Sequence, residues 1–264
     1  MTHLQHIEIE QRGAVRWLWL NRPEVRNAFN DALIADIAAA FADVEASPDT
    51  RVVVVAGRGP SFCAGADLNW MRAMANYSHA DNHSDALKVA RMFHAVHSCS
   101  KPVIARVQGD AFGGGVGLAA ACDIVVAAES VSFVLSEVKL GIVAATISPH
   151  VVRAMGARQA ARYMLTAEKF SAKRAHELGL VHELATADSL DASVGSLCQS
   201  LLAASPAALA ATKKLLADVV EAPIDDVLLA ATAKCIADAR VSPEGREGIA
   251  AFLEKRAPSW APKK

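Results

Sequence analysis

Neither sign of charge dominates this chain. Its 27 lysines and arginines stand against 28 aspartates and glutamates over 264 residues, so electrostatics gives no case for binding nucleic acid or a membrane surface. No apolar run reaches the roughly 20 residues that cross a bilayer. Met1 to Gln11 is polar and lacks an apolar h-region, so no secretory signal is expected and the expected location is cytoplasmic. The five cysteines, Cys63, Cys99, Cys122, Cys198 and Cys235, are odd in number and form no C-x-x-C pair. Buried free thiols in a reducing compartment fit that pattern better than a disulfide framework. His79, His83, His94 and His97 cluster loosely but lack matching carboxylates or cysteines, so no metal site is expected.

Several catalytic signatures are missing as well. No G-x-S-x-G elbow is present to carry a serine nucleophile. No Gly-Lys-Ser/Thr follows a glycine loop, which excludes a P-loop. A dinucleotide fingerprint starting at Gly113 fails at its sixth position, which is Leu118.

What is present is Gly113-Gly114-Gly115, between the apolar run Val103 to Val107 and the alanine-rich stretch Val116 to Cys122. That order reads as strand, glycine turn, helix. Glycines leave no side chain in front of the backbone N–H groups, and the helix behind adds partial positive charge at its N-terminus. A second glycine-flanked segment, Ser61 to Asp67, follows the valine run at Arg51 to Ala56. Two such loops can supply an oxyanion hole for an enolate or tetrahedral oxygen.

The rest of the pattern is α/β. Strands are expected at Val15–Leu20, Arg51–Ala56, Lys101–Gln108, Ile124–Ala128 and Val131–Leu135. Helices are expected at Asn30–Glu45, with Asn30 as N-cap, and at Asp85–His97. Alternating strands and helices imply right-handed crossovers. The polar segment Asn69 to Ser84 reads as a mobile loop or frayed helix. From Ser148 onward the chain reads as almost entirely helical, punctuated by Pro206, Pro223 and Pro243.

Several segments together identify a resemblance. They are Asn21-Arg22-Pro23-Glu24-Val25-Arg26-Asn27-Ala28-Phe29, Phe62 to Leu68, Gly109 to Ile124, Glu137 to Gly141, Ala172 to Val181, and Phe252 to Arg256. In these the chain resembles the enoyl-CoA hydratase/isomerase (crotonase) superfamily over nearly its whole length. The resemblance implies an α/β fold, a spiral of ββα turns over residues 1–195, and a C-terminal helical trimerisation region over 196–264. It implies a homotrimer or dimer of trimers, an acyl-CoA thioester substrate, and no cofactor beyond the coenzyme A of that substrate. By position, the oxyanion donors are the backbone N–H groups of Ala66 and Gly114. Ala64, Asp67 and Gly117 fall along the substrate, with Asp67 also reading as a helix cap. Arg26 falls by the CoA phosphates, and Phe252 and Lys255, from a neighbouring subunit, by the adenine end.

Hydratases of this family that use two glutamates carry them twenty positions apart. Here the second is Glu137 and the first position is Gly117. A single carboxylate can shuttle one proton between two carbons, as in Δ3,Δ2-enoyl-CoA isomerases. In Asp67 to Met71, Phe112 to Leu118, Leu135 to Val138 and Ile147-Ser148-Pro149, however, the chain is more similar to 3-methylglutaconyl-CoA and γ-carboxygeranoyl-CoA hydratases of leucine and terpene breakdown. The expected activity is hydration of a branched 2-enoyl-CoA with Glu137 as acid and base. An isomerase and a catalytically weak acyl-CoA-binding protein are the alternatives. Gly117 answers either a close helix contact or a need for volume in the site. A carboxylated substrate needs a cationic partner, for which Arg72, Lys139, His150 and Arg153 are the candidates.

Overall fold

A computed structural model describes residues 4–262; residues 1–3 and 263–264 of the expected domains lie outside the described residues. The chain divides into two compact units, Met1–Cys99 with Val103–Gly195, and Ser100–Pro102 with Ser196–Lys264.

The first unit holds a six-stranded sheet in the order β1-β2-β3-β4-β6-β9. Its strands are β1 (Ile7–Arg12), β2 (Val15–Leu20), β3 (Val52–Gly57), β4 (Val103–Val107), β6 (Ile124–Ala128) and β9 (Glu183–Ala185). Only β1 runs antiparallel to its neighbour. Every residue of β3 is buried, as expected for a central parallel strand covered on both faces. Strand β1 escaped the sequence reading. It begins with alternating apolar and charged residues and exposes four of its six at the sheet edge, so its composition reads as a polar terminus.

A second layer places the site. Its named strands are β5 (Ala111–Phe112), β7 (Ser132–Val134) and β8 (Phe170–Ser171). Two single-residue bridges extend it, Phe29 to Ala66 and Cys63 to Ala111, both parallel, as is β5 with β7. Each turn of the chain thus contributes one strand to the large sheet and one short segment to the small layer. The segments up to β7 lie side by side and point the same way, and β8 runs antiparallel to β7.

Helix α1 (Asp31–Ala46) starts at Asn30, whose side chain accepts the Leu33 N–H. The polar segment after the Ser61–Asp67 loop is two helices rather than a loop. These are α2 (Leu68–Met74), capped by Asp67, and α3 (His79–His97), which begins six residues before the expected Asp85. The physical reason is a capping box. Ser78 Oγ accepts the Asp81 N–H, and the Asp81 carboxylate accepts the Ser78 N–H, which satisfies first-turn donors in an otherwise polar stretch. Helix α4 (Gly114–Ala121) follows the glycine turn, and α5 (Ser148–Met155) and α6 (Ala157–Thr166) follow Glu137. The segment after Ser148 also contains the short strands β8 and β9.

After α7 (Ala172–Glu177) and α8 (Leu190–Ala203), the second unit is helical, with α9 (Pro206–Val219), α10 (Asp226–Val241) and α11 (Pro243–Leu253). Ser205, Asp225 and Ser242 cap their N-termini. Among the described residues no single helix is long and apolar enough to cross a membrane.

Candidate active site

Three consecutive turns deliver three groups to one edge of the small layer. The first is Ala66. Its bridge partner Phe29 donates to Gly65 O at 2.7 Å and accepts from the Asp67 N–H at 2.8 Å. In a parallel ladder that pattern uses the residues flanking Ala66 and turns the peptide groups of Ala66 to the opposite side. No hydrogen bond among the described residues takes the Ala66 N–H. Ala66 is exposed while Gly65 and Asp67 are buried.

The second group is Gly114, one turn on. Gly113 donates its N–H to Val134 O at 2.8 Å, which ties the glycine turn to β7. Its φ of +50° lies in the left-handed region where a Cβ is strained. Gly114 then opens α4, and its N–H is one of the orphan donors of a helix start. Gly114 is partly exposed between the buried Gly113 and Gly115. Both donor residues therefore reach the surface between buried flanks.

The third group is Glu137, which begins the 3₁₀ turn Glu137–Leu140 after β7. A Cβ built on Gly113 would lie 3.1 Å from Glu137 Oε1, so the carboxyl stands directly over the glycine turn. Its Oε2 is buried without a hydrogen-bond partner. Burial raises the Glu137 pKa above the ordinary carboxylate value, partly offset by a hydrogen bond from its own N–H. Burial of this kind favours the protonated form, which suits a group that must give or take a proton.

The framework around the donors is polar and largely hydrogen-bonded, with Arg22 Nε left without a partner among the described residues. Asp67 is buried, caps α2 through the Asn69 N–H at 2.8 Å, and pairs with Arg22 Nη2 at 2.9 Å. Burial acts to raise its pKa, but the hydrogen bonds from Asn69 and Arg22 outweigh it and hold the carboxyl below its ordinary range. Arg22 also donates to Ala28 O. Asn27, fully buried, accepts the Arg22 N–H and donates to Arg58 O and Ser61 O. The sequence reading did not single out Arg22 or Asn27, although both stand in the quoted Asn21 to Phe29 segment. They lock that segment against the Ala66 loop.

Ala64 donates its N–H to Arg26 O at 3.0 Å, so Arg26, exposed at the surface, is anchored beside the same loop. Asp123 accepts the Val103 N–H and serves the strand framework. Cys63, near both donors, is no nucleophile: burial pushes its thiol up to about 12.

Gly117 is buried on α4. A Cβ there would lie 2.6 Å from Ile147 Cβ and 3.4 Å from Phe93 Cζ. The direction a side chain would take from Gly117 is occupied by Ile147, which the sequence reading did not connect with it. No periodicity links positions thirty residues apart. Phe252, 83% exposed, and Lys255 belong to the second unit. The other named site residues belong to the first.

Two hydrogen-bond donors from separate loops and one partly desolvated acid can stabilise a thioester enolate and move a proton at its α-carbon. The comparisons agree with that chemistry. Residues 10–263 match the family model described as enoyl-CoA hydratase/isomerase. A mevalonyl-coenzyme A hydratase of Aspergillus fumigatus is 35% identical, covering 94% of this chain and 91% of its own. A 2,3-dehydroadipyl-CoA hydratase of Escherichia coli is 31% identical, covering 97% and 99%. The crystal structure of an enoyl-CoA hydratase from Shewanella pealeana superposes with a TM-score of 0.95 at 42% identity, covering 97% of this chain and 96% of that one. The chain therefore belongs to the enoyl-CoA hydratase/isomerase family, as a hydro-lyase of the enoyl-CoA hydratase type.

Proposed function

We propose that this enzyme hydrates a branched 2-enoyl-CoA whose acyl group ends in a carboxylate, 3-methylglutaconyl-CoA being the first candidate. The observation that carries the reading is the position of Glu137 over the glycine turn, with Ile147 in the direction where a second carboxylate would project from Gly117. One carboxyl group then does both proton steps. The Glu137 carboxylate takes a proton from water as the water oxygen bonds to the β-carbon. The π-electrons move toward the thioester oxygen, held by the Ala66 and Gly114 N–H groups. Glu137, now the acid, delivers that proton to the α-carbon, and the carbonyl re-forms.

The apolar Ile147 and Phe93 beside Gly117 suit a branched acyl group. Among relatives, one is named for mevalonyl-CoA, a branched acyl group, and another for dehydroadipyl-CoA, which ends in a carboxylate. Arg26 would meet the CoA phosphates. Phe252 and Lys255 would come from a neighbouring subunit of a trimer or a dimer of trimers.

A second reading, Δ3,Δ2-enoyl-CoA isomerisation, is favoured by the lone carboxylate. Absorbance at the enoyl-thioester band separates the two. Hydration of 3-methylglutaconyl-CoA lowers it, whereas isomerisation of a 3-enoyl-CoA raises it. Turnover of the 3-enoyl-CoA alone would overturn the hydratase reading. Tight CoA-thioester binding without turnover of any substrate would leave a binding protein.

A further inference from the structure

The reading of a carboxylated acyl group requires something to recognise its far end. Of the four cations considered, three have partners. Lys139 Nζ donates to Ala167 O at 2.9 Å, Arg72 Nη1 to Asn69 Oδ1 at 2.6 Å, and Arg153 Nη1 to Pro149 O at 3.4 Å. His150 differs. It is 8% exposed, and its Nδ1 is buried with no hydrogen-bond partner. Buried polar atoms are rarely left so, and one that is calls for a ligand or a stated reason.

The position of His150 supplies the reason. It lies on α5 three residues after Ile147, so both project from one helix face. Its ring centroid is 6.1 Å from that of Phe93. Phe93 Cζ would lie 3.4 Å from a Cβ on Gly117 and 3.9 Å from one on Gly114. One phenyl ring therefore lies near both the start of α4 and His150. The charged groups that bear on His150 are His97 and His94 on α3 and Arg153 on α5, all basic, and the His97 ring is 5.2 Å away. A buried imidazole with a free ring nitrogen, surrounded by basic groups, favours an anionic hydrogen-bond acceptor.

We propose that His150 is a specificity-determining residue, which donates a hydrogen bond from Nδ1 to the terminal carboxylate of the acyl group after the acyl chain has passed Phe93. This rests on the substrate class proposed above, and the experiment separates the two. 3-Methylglutaconyl-CoA and 3-methylcrotonyl-CoA share the branch and differ in the carboxylate. The ratio of their kcat/KM values is measured in the wild type, His150→Phe and His150→Gln. In His150→Phe the ratio falls about tenfold or more, chiefly through KM, on the scale of one hydrogen bond to a charged group. His150→Gln, which keeps an N–H donor, retains part of the preference. Calorimetry with the unreactive pair glutaryl-CoA and butyryl-CoA shows the same loss of preference without reference to turnover. A ratio unchanged within twofold in an assembled His150→Phe enzyme overturns the role of His150 while the substrate class stands. A wild type with no preference for either carboxylated thioester overturns the substrate class, and this assignment with it.

Discussion

Adding one methyl group at Gly117 tests whether Ile147 is what keeps that position empty. Two effects oppose each other. Alanine gains about 1 kcal/mol over glycine in a helix interior. Against this, the new Cβ would meet Ile147 Cβ at 2.6 Å and Phe93 Cζ at 3.4 Å. Carbon contacts relax near 3.5–4.0 Å, so Ile147, whose Cγ2 stands closer still, must retreat by about 1 Å or more, and it is 2% exposed. Overpacking of this kind costs about 1–3 kcal/mol. Steric cost wins by about 1 kcal/mol at mid-range, and Gly117→Ala is expected to lower the thermal midpoint by about 2–4 °C. Gly117→Glu is worse, and turnover of both crotonyl-CoA and 3-methylglutaconyl-CoA falls. Ile147→Gly removes the obstacle. Combined with Gly117→Ala it recovers about 1–3 kcal/mol relative to the sum of the single changes, as contacting residues do. Combined with Gly117→Glu it makes room for a second carboxylate and raises crotonyl-CoA hydration above that of either single variant. Midpoints from thermal unfolding and initial rates on both substrates decide the matter. A more stable Gly117→Ala, or single effects that add within about 0.5 kcal/mol, would refute the packing argument.

Other expectations follow from the same geometry. Glu137→Gln should cut turnover by about a hundredfold or more while leaving CoA-thioester affinity intact; near-normal rates in the folded variant would remove Glu137 from the mechanism. Ala66→Pro deletes a donor at a residue that already carries a Cβ and whose N–H has no partner among the described residues, so kcat should fall about a hundredfold with assembly preserved. Full activity there would disprove the donor role. Gly114→Pro is the poorer test, because its Cβ would press to 2.8 Å from the Phe29 ring. His150 gives a pH signature. Burial first, then His97, Arg153 and His94, hold its pKa down at about 4 against an ordinary 6.5. The unfolded chain therefore takes up the proton first, and stability present above pH 6.5 declines as pH falls toward 4, by up to about 3 kcal/mol. His150→Phe should flatten that part of the curve in unfolding measured from pH 7 to 4. An identical slope in both proteins would contradict the burial of a neutral imidazole.

Much of the site was legible because it is made of backbone. Three successive glycines announce a turn with open N–H groups, and the valine run Val52 to Val55 announces the central strand before the first donor loop. Asn30 and Asp67 read as caps and are caps. What could not be read depends on contacts between distant positions. Nothing in the spacing of Gly117 and Ile147 predicts that one fills the direction of the other. His150 looks in sequence like any helix-surface histidine, and only the packing of α3 against α5 buries it beside Phe93. The stretch Asn69 to Ser84 failed for a different reason. Its polarity masks the capping box between Ser78 and Asp81 that starts α3, and local hydrogen bonds there outweigh a weak apolar pattern.

The arrangement also explains how candidate groups spread over seventy residues come together. Ala66, Gly114 and Glu137 each follow a segment of the small layer, and those segments are bonded edge to edge. Phe112 N–H to Cys63 O at 2.9 Å joins the first turn to the second, and Gly113 N–H to Val134 O at 2.8 Å joins the second to the third. A shift of one residue in either register would carry a donor or the carboxyl about 3.3 Å along its strand, more than the tolerance of a hydrogen bond. The glycines hold that register from the other side. A Cβ on Gly115 would come within 2.9 Å of Cys63 Cβ, so α4 can sit against the first loop only where this residue has no side chain. The candidate donors and acid are thus positioned by backbone pairing, whereas Ile147, Phe93 and His150 around them are placed by side-chain packing.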